Sequence, residues 1–534
     1  MLSNSFLTNK TVVASQFLRK FIQMYYFMKR ICRFLCSIIL LLSAHSLSAQ
    51  NMTYSVVHNE SARDVNFEIL GKVGANYLVF KNISWKNILQ VFNANMVELS
   101  NERMKFVPER IVNADFITYP DYFLMVYQHK KNTVLYCDAV KLDANGQKIG
   151  EVINIDTTRV GMQSGTEIYS TIFSEDKKNI LIYKLHEKNE RLHVVTKLYN
   201  PDLQLLDSTR SVIDFNDRRE VFSPFQIAND GTIFFTKETK PGSRENIAEL
   251  EMVTNKPKSN EFKATAINLD KKYIDGVQIK IDNLNNNYII NSFYYPEKRG
   301  SSIEGLFSAV INKETYSVKT MFNQFGDTLR AKINRSKNSR YAFDNLFLKN
   351  IFVKRDGSYL LVAEDFYSQS TGNNNSWNRW DYMYGNPYSF NNDYYYWNSP
   401  YYRYNRFNSF NNNRSTRYYN DNILVMSIDP SGKLNWNNVI LKSQTDDDDD
   451  SFISYGTMNA GAEIHFLYIE KERNSQIISN QSISTYGKLY RYPTLKSREK
   501  GYLFMPRLSK QVGPKQMIMP CVYRGNICFA KVDF

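Results

Sequence analysis

Aromatic and amide side chains are concentrated in one segment of the chain, residues 366–420. Its 55 residues include 14 Asn, 12 Tyr and three of the five Trp, but no Ala, Val, Ile or Leu. Flat aromatic rings stack on the C–H faces of sugars, and Asn amides hydrogen-bond to hydroxyl groups. With so little aliphatic surface, the segment cannot form an ordinary hydrophobic core. We therefore expect it to form an exposed surface.

The candidate binding residues are the clustered aromatic and basic side chains of segment 366–420. They are Trp377, Trp380, Tyr394, Tyr395, Tyr396, Trp397, Tyr401, Tyr402, Arg403 and Arg406. Contact with a carbohydrate such as peptidoglycan is one interpretation. Self-association or docking to an envelope protein is another, because Asn-rich aromatic tracts are prone to β-type stacking. A variable loop without a dedicated role is the third.

A run of five Asp residues, Asp446–Asp450, follows this segment. Carboxylate oxygens are the ligands that Ca²⁺ prefers, which makes Asp446, Asp448 and Asp450 weak calcium candidates. However, the run lacks the alternating ligand spacing and the Gly of an EF-hand loop. A solvated loop is the default interpretation, and no other cofactor is predicted.

Sequence motifs for catalysis are missing. The chain contains no G-x-S-x-G, no H-E-x-x-H and no Gly-rich phosphate loop, so we assign no catalytic residue. The enzymatic alternative to a binding role is a sialidase-like glycoside hydrolase of the propeller type, acting on extracellular glycans. Its repeated turn motif, Ser-x-Asp-x-Gly-x-Thr-Trp, is only approached by residues 427–436, which have one extra residue before the Gly, lack the Thr and occur once. A binding role is therefore favoured over an enzymatic one.

The elements that must position these residues recur along the chain. An apolar strand ending in an Asx or similar residue, then a polar turn, returns at Asn93, Asp143, Asn200, Asn255, Asn312, Asp429, Thr485 and Asp533. Successive markers are 48 to 57 residues apart, except for one gap of 117, which an insertion of about 55 residues explains. Asp and Asn side chains cap such turns by local hydrogen bonds. Short strands rich in Val, Ile, Tyr and Phe precede each marker.

Three to four short strands per unit of about 50 residues predict an all-β fold of the β-propeller type. Eight blades are expected, with seven as the fallback, and an open array of β-sandwiches is the alternative architecture. The eighth unit ends after its third strand, whereas residues 52–58 form a lone strand before the first unit. The N-terminal strand should therefore supply the missing strand and close the ring, which removes two exposed sheet edges.

This topology also places segment 366–420. It interrupts blade six between the predicted strands 359–363 and 422–427. In a propeller, the loop between the second and third strands opens on the same face as the connection to the next blade. Because the connection from blade six to blade seven carries the Asp run, the aromatic segment and the acidic run should be neighbours on one face.

The N-terminal region predicts export. A basic start at Met28, a nine-residue apolar stretch and small residues before Gln50 describe a signal peptide, so Met28 is a candidate start. We expect residues 1–49 to be the signal region and residues 50–534 a single propeller domain in the periplasm or at the cell surface. The apolar stretch is too short to span a bilayer. Without residues 1–49, 61 basic residues face 53 acidic ones with no basic run, so nucleic-acid binding is not expected.

The mature chain keeps three cysteines. Cys521 and Cys528 flank Arg524-Gly525, a plausible hairpin turn, and either a disulfide or two free thiols fits this spacing. Structural zinc needs about four N or S ligands at short spacings, which the chain does not offer.

Residues 422–436, after a Tyr/Asn-rich loop, resemble exported propeller-type repeat proteins of Bacteroidota, as does the signal ending Leu-Ser-Ala-Gln. The resemblance covers one blade clearly and the others by pattern. It implies a place in the cell envelope or outer membrane and no established activity. The sequence thus predicts an exported binding or scaffold propeller whose partner is an envelope glycan or an envelope protein.

Overall fold

The structure is a computed structural model that describes residues 28–30, 51–161, 168–216, 218–300, 302–333, 343–370, 376–377, 379, 416–447, 450–472, 475–495 and 501–534. The predicted signal region lies outside these residues, except for one helical turn at residues 28–30. The chain divides into two compact units, residues 1–51 with 533–534, and Met52–Val532. The second unit contains the repeats. The domain boundaries given above stay predictions.

Eight antiparallel sheets follow one another along the chain, which confirms the eight-blade β-propeller. Blade one contains β2 (Val65–Val73), β3 (Asn76–Ile83), β4 (Lys86–Phe92) and β5 (Glu98–Arg103). Blade two contains β6 (Ile111–Thr118), β7 (Tyr122–Lys131), β8 (Val134–Asp143) and β9 (Ile153–Arg159). Blade three contains β10 (Tyr169–Phe173), β11 (Ile180–Glu187), β12 (Arg191–Tyr199) and β13 (Leu205–Asp214). Blade four contains β14 (Glu220–Phe222), β15 (Gln226–Ile227), β16 (Ile233–Thr239), β17 (Glu249–Asn255) and β18 (Lys263–Ile267).

The second half of the ring repeats this order. Blade five contains β19 (Tyr273–Ile274), β20 (Gln278–Asp282), β21 (Asn287–Tyr295), β22 (Gly305–Asn312) and β23 (Val318–Gln324), followed by the helix α1 (Asp327–Ile333). Blade six contains β24 (Leu346–Val353), β25 (Tyr359–Ser370), β26 (Ser376–Trp377), β27 (Thr416–Ile428), β28 (Leu434–Ile440) and β29 (Gln444–Asp447). Blade seven contains β30 (Tyr455–Asn459), β31 (Glu463–Glu472), β32 (Ser475–Ser484) and β33 (Leu489–Arg491). Blade eight contains β34 (Tyr502–Phe504), β35 (Lys510–Gly513), β36 (Gln516–Tyr523), β37 (Asn526–Asp533) and β1 (Asn51–Tyr54).

The hydrophobic core lies between successive blades. In one such cluster, apolar residues of β3 and β4 pack against β6 and β7, and the rings of Phe80 and Phe116 lie 4.9 Å apart. Each sheet thus buries both faces, which explains why second strands such as Tyr122–Tyr127 are nearly continuous apolar runs. Each fully buried Leu or Phe contributes about 1.5–3 kcal/mol.

Five of the eight repeated markers cap their own turn by accepting backbone hydrogen bonds. Oδ1 of Asp143 accepts hydrogen bonds from the backbone N–H groups of Asn145 and Gln147, both at 2.8 Å. The side chains of Asn93, Asn200 and Asp429 accept the equivalent pair of bonds, whereas Asn312 accepts from the residues two and three positions on. In blade seven the hydroxyl of Ser484 accepts from Lys488 N, so the acceptor is the residue before the predicted marker.

The N-terminal strand closes the ring as predicted. β1 is the hydrogen-bonded neighbour of β37, and blade eight is otherwise built from the C-terminal residues. Next to β1, Ser55 N–H donates to Phe529 O at 2.8 Å, and Phe529 N–H donates to Ser55 Oγ at 3.0 Å. Residues from both ends of the chain therefore share one sheet.

Two inner strands are irregular. The inner strand of blade seven begins only at Tyr455, because Ser454 takes a positive φ of 73° and hydrogen-bonds to Gln444 through its N–H. The inner strand of blade four is split into β14 and β15, since Pro224 between them has no N–H to donate.

Candidate functional site

Segment 366–420, which is predicted to bind a partner, joins two strands of blade six that are longer than the other strands of that blade. β25 and β27 have 12 and 13 residues, and both continue into segment 366–420. The predicted strand ends at 363 and 422 were therefore too short. Strand pairing passes through a β-bulge between Glu364 and Phe366 and resumes with Phe366 opposite Asn420. Aromatic residues replace aliphatic ones here, and they pair well across antiparallel strands.

Beyond the bulge lies a small sheet, which we call the aromatic ribbon: Phe366–Ser370, β26, Thr416–Asn420 and β29. The rings of Tyr367 and Tyr419 face each other across the ribbon at 4.5 Å with an interplanar angle of 5°. Phe366 and Tyr418 are stacked at 6.5 Å. The ribbon thus presents partly exposed tyrosine rings in parallel arrangement.

The acidic run lies beside the ribbon, as the topology predicts. β29, which contains Asp446 and Asp447, pairs with the start of β27. Arg417 binds Asp447 through two hydrogen bonds, Nε to Oδ1 at 2.7 Å and Nη2 to Oδ2 at 3.2 Å. Both side chains are half exposed, so the pair contributes at most about 1 kcal/mol to stability.

Arg379 connects the same segment to blade five. Its guanidinium is 2% exposed and binds Asp275, which is 1% exposed, with Nε 2.8 Å and Nη2 2.6 Å from Oδ2. Its Nη1 donates to the backbone carbonyl of Leu346 at the start of β24. The guanidinium lies over the ring of Phe347 at 4.6 Å and near that of Phe293 at 5.1 Å. Arg379 therefore inserts between blades five and six.

Asp275 also accepts hydrogen bonds from two residues of its own blade, blade five. Tyr295 Oη donates to Asp275 Oδ2 at 2.5 Å, and Ser292 Oγ lies 3.2 Å from Oδ1. A buried ion pair repays its desolvation only when further hydrogen bonds satisfy both ions. This pair has such bonds, in addition to the cation–π contacts.

A second buried ionic cluster lies at the bulge in β25, where the ribbon begins. Glu364, at the bulge, lies 2.7 Å from Lys442 Nζ and 3.1 Å from Lys349 Nζ, and Ser454 Oγ donates to it at 2.6 Å. Burial alone would raise the pKa of Glu364, but Lys442 and Lys349 outweigh that effect and hold the pKa below its ordinary value. Lys442 also donates to Gln444 Oε1 at 2.9 Å, which ties the ribbon to the connection between blades six and seven.

A carboxyl next to this cluster is protonated more readily than usual. Burial, together with the nearby charge of Asp421, raises the pKa of Asp365 to about 8. Both residues lie where β25 and β27 leave regular register. Of the two neighbouring carboxyl groups on β25, Glu364 is therefore the ionised one, and Asp365 is largely neutral at pH 7.

Most of the predicted binding residues fall outside the described part of the chain. These are Trp380, Tyr394, Tyr395, Tyr396, Trp397, Tyr401, Tyr402, Arg403 and Arg406. Trp377 lies on β26, where its backbone pairs with Ser368. The binding role of all ten residues stays a prediction.

Two of the three calcium candidates, Asp446 and Asp450, lie among the described residues. Asp450 is buried in an ion pair with Arg507 at 2.8 Å, and Asp448 lies outside the described residues. Asp446 Oδ1 accepts a hydrogen bond from Asp447 N–H. Among the residues that the structure describes, no group of three or more His, Cys, Asp or Glu is arranged to hold a metal ion.

The residues that sequence reasoning missed are the buried partners of the segment: Asp275, Glu364 and Lys442. Each lies in or beside a strand, and nothing local distinguishes it from an exposed charge. The stretch 427–436, which resembles a glycosidase turn, uses Asp429 as a turn cap to Ser431 and Lys433. Within the described part of the chain, no helix is long and apolar enough to cross a membrane.

Comparisons with known proteins identify no family. No protein-family model and no curated protein matches the sequence. Among solved structures, the chain is similar to the polysaccharide lyase Uly1, with 10% identity, a TM-score of 0.37, and coverage of 78% of this chain and 89% of the lyase. It is also similar to prolyl oligopeptidase B from Galerina marginata, with 7% identity and a TM-score of 0.40 over 87% of this chain.

The chain spans only 56% of that oligopeptidase. A third similar structure is the β-propeller domain of the Trilobed protease from Pyrococcus furiosus, with 8% identity, a TM-score of 0.34, and coverage of 79% of this chain and 95% of that domain. Similarities at this level carry no functional argument. The fold assignment rests on the strand order within the eight sheets.

Proposed function

We propose that this protein is an exported, non-catalytic binding propeller of the cell envelope, and that segment 366–420 contacts its partner. The observation that supports this most is the burial of Arg379 between blades five and six. Removing an arginine and an aspartate from water costs several kcal/mol per ion. The pair fixes the position of Arg379 itself, and with it one point of the segment, between the two blades.

The C-terminal end of the segment is also held in place, by strand pairing in the aromatic ribbon. The aromatic ribbon pairs Thr416–Asn420 with both β25 and β29, above the Glu364–Lys442 ion pair. A binding loop that is positioned by a rigid scaffold loses less conformational entropy when its ligand binds. Arg379 and the ribbon hold the segment at two separate points.

Its composition favours a glycan as the partner. The parallel rings of Tyr367 and Tyr419 offer flat apolar faces, and 14 Asn supply amide donors and acceptors for sugar hydroxyls. An envelope protein remains the alternative outcome of the test. Export itself rests on the signal at residues 28–49, and fractionation of cells that produce the chain with and without these residues tests it.

The test replaces residues 380–415 with a Gly/Ser linker and keeps Arg379 and the ribbon. Tyr486→Ala is the matched control, because Tyr486 is 90% exposed and lies in the turn after β32, at the opposite ends of the strands. All proteins are first shown to unfold at similar temperatures. Each is then applied to immobilised peptidoglycan fragments, to envelope polysaccharides and to detergent-solubilised envelope proteins.

We expect the intact chain and Tyr486→Ala to bind one glycan class that the linker variant does not bind. Capture of a discrete envelope protein instead would keep the binding role and replace the glycan. Equal binding by the intact chain and the linker variant would refute a role of residues 380–415 in binding. Turnover of a glycan by the intact chain would refute the non-catalytic assignment and favour the hydrolase.

A further inference from the structure

Two cysteine side chains meet inside blade eight. Cys521 lies on β36 and Cys528 on β37, and Arg524-Gly525 turns the chain between these strands. Their Sγ atoms are 3.0 Å apart, and the side chains are 0% and 1% exposed. Non-bonded carbon atoms already prefer about 3.5–4.0 Å, and sulfur is the larger atom. The two sulfurs are therefore closer than ordinary packing places them.

We propose that Cys521 and Cys528 form a disulfide bond in the mature protein. Directly opposed residues of an antiparallel pair have Cα atoms about 4.5–5.5 Å apart, within the range that a disulfide bridges. Bond formation needs only a small approach of the two Sγ atoms. The proposal assumes the exported state proposed above, because disulfides persist in oxidising compartments.

The bond forms by thiol–disulfide exchange. The thiolate of one cysteine attacks a disulfide of an oxidised thiol–disulfide oxidoreductase or of oxidised glutathione, giving a mixed disulfide and releasing one thiol. The second cysteine, as its thiolate, then attacks the protein sulfur of that mixed disulfide. The acceptor leaves as its second thiol. In total, two protein thiols lose two electrons and two protons, and the acceptor disulfide gains them.

Exchange must precede the packing of blade eight. In the folded chain both sulfurs are shielded, and burial with the neighbouring Cys528 raises the pKa of Cys521 well above its ordinary value, which suppresses the thiolate. The hairpin of β36 and β37 has a two-residue turn and forms locally, so its cysteines can meet an oxidant before β1 completes the sheet. The bond then holds together the hairpin onto which the N-terminal strand docks.

Cys137 provides an internal control. It is buried in β8 of blade two, and burial raises the pKa of its thiol. The chain from Gln50 onwards contains three cysteines, so it should show one thiol when the bond is present and three when it is absent.

The experiment counts alkylated cysteines by intact mass after denaturation without reductant. Two preparations are compared: the protein purified from cells that produce the full chain with residues 1–49, and the chain from Gln50 refolded in a glutathione redox buffer. We expect one alkylated cysteine in each, three after reduction, and a cross-linked peptide pair containing Cys521 and Cys528. Cys137→Ser should show none, and the double variant Cys521→Ser/Cys528→Ser should show one in every condition.

The two preparations test the disulfide and the exported location of the protein separately. Three free thiols in the folded protein from both preparations would overturn the disulfide. A bond in the refolded protein but not in cells would keep the disulfide and refute export. Thermal unfolding is a second readout, because the bonded form should unfold at a higher temperature than the same protein after reduction.

Discussion

Charged side chains that are shielded from water form ion pairs at several places in this protein. Arg379–Asp275, Lys442–Glu364 and Arg507–Asp450 are each less than a tenth exposed. Such residues respond to mutation and to pH far more strongly than surface charges do, because an uncompensated buried ion has no water to stabilise it.

The Arg379–Asp275 pair gives the first prediction. Arg379→Met should reduce the free energy of unfolding by about 3–5 kcal/mol, because Asp275 keeps a buried negative charge without its cation. Arg417→Met is the matched control in the same segment, and its exposed pair should cost at most about 1 kcal/mol. Urea titrations of both variants measure the difference.

A double variant tests the cause of that loss. Arg379→Met combined with Asp275→Asn removes both charges, and it should recover part of the stability lost by Arg379→Met alone. Equal losses for Arg379→Met and Arg417→Met would contradict the buried pair.

Glu238 on β16 gives a pH prediction. Its side chain is 2% exposed, and burial raises its pKa from 4.5 to about 8, although Thr236 Oγ1 donates to the carboxyl at 3.1 Å. Between these two values the folded state binds more protons than the unfolded state. The stabilisation by the neutral carboxyl is therefore complete below about pH 4.5 and is lost as the pH rises through 8.

Glu238→Gln imitates the neutral acid at every pH. Relative to the unchanged protein, the variant should gain about 1.4 kcal/mol of stability per pH unit between pH 5 and pH 8, with little difference at pH 4.5. Unfolding midpoints at pH 4.5, 6, 7 and 8 measure this gain, and all other titrating groups cancel in the comparison. A constant offset across this range would show that the pKa of Glu238 is not raised.

At the scale of single elements, the turns between the third and fourth strands of several blades share the same side-chain cap. Asp143 satisfies two backbone N–H groups there. Asp143→Ala should cost about 0.5–1.5 kcal/mol, because two exposed backbone donors exchange their acceptor for water. Asp143→Asn keeps an oxygen at Oδ1 and should cost much less. Thermal unfolding of both variants checks this, and identical losses would mean that charge, not the turn cap, is what matters.

At the scale of the whole molecule, ring closure depends on a few residues at the N-terminus. Ser55→Pro removes both the N–H that binds Phe529 O and the hydroxyl that binds Phe529 N. We expect a lower unfolding temperature and concentration-dependent self-association, because the edge of β37 becomes available to other chains. Calorimetry and light scattering measure the two effects.

Ser55→Ala is the control for this prediction, because it keeps the N–H and loses only the hydroxyl. It should stay monodisperse under conditions where Ser55→Pro associates. A peptide of residues 50–58 added to the Ser55→Pro variant should reduce its association, and no effect of either the substitution or the peptide would contradict closure by β1.

Much of the fold could be predicted because its signals are local. A period of about 55 residues, apolar runs such as Tyr122–Tyr127 and turn caps such as Asp143 each arise within a short stretch of chain. The neighbouring positions of the aromatic segment and the acidic run followed from the propeller topology alone. The ends of β25 and β27 were misjudged, because Tyr and Asn pair across the ribbon where aliphatic residues were expected.

The sequence by itself determined the class of fold, its blade number and the chain segment that distinguishes this protein, since periodicity and composition are properties of the chain. Only the tertiary structure decided which charges are buried and what they bind. Arg379 and Asp275 are 104 residues apart, and Lys442 meets Glu364 from a different strand connection. No local pattern marks such residues, because the stability of a buried charge depends on a partner that the fold brings from elsewhere in the chain.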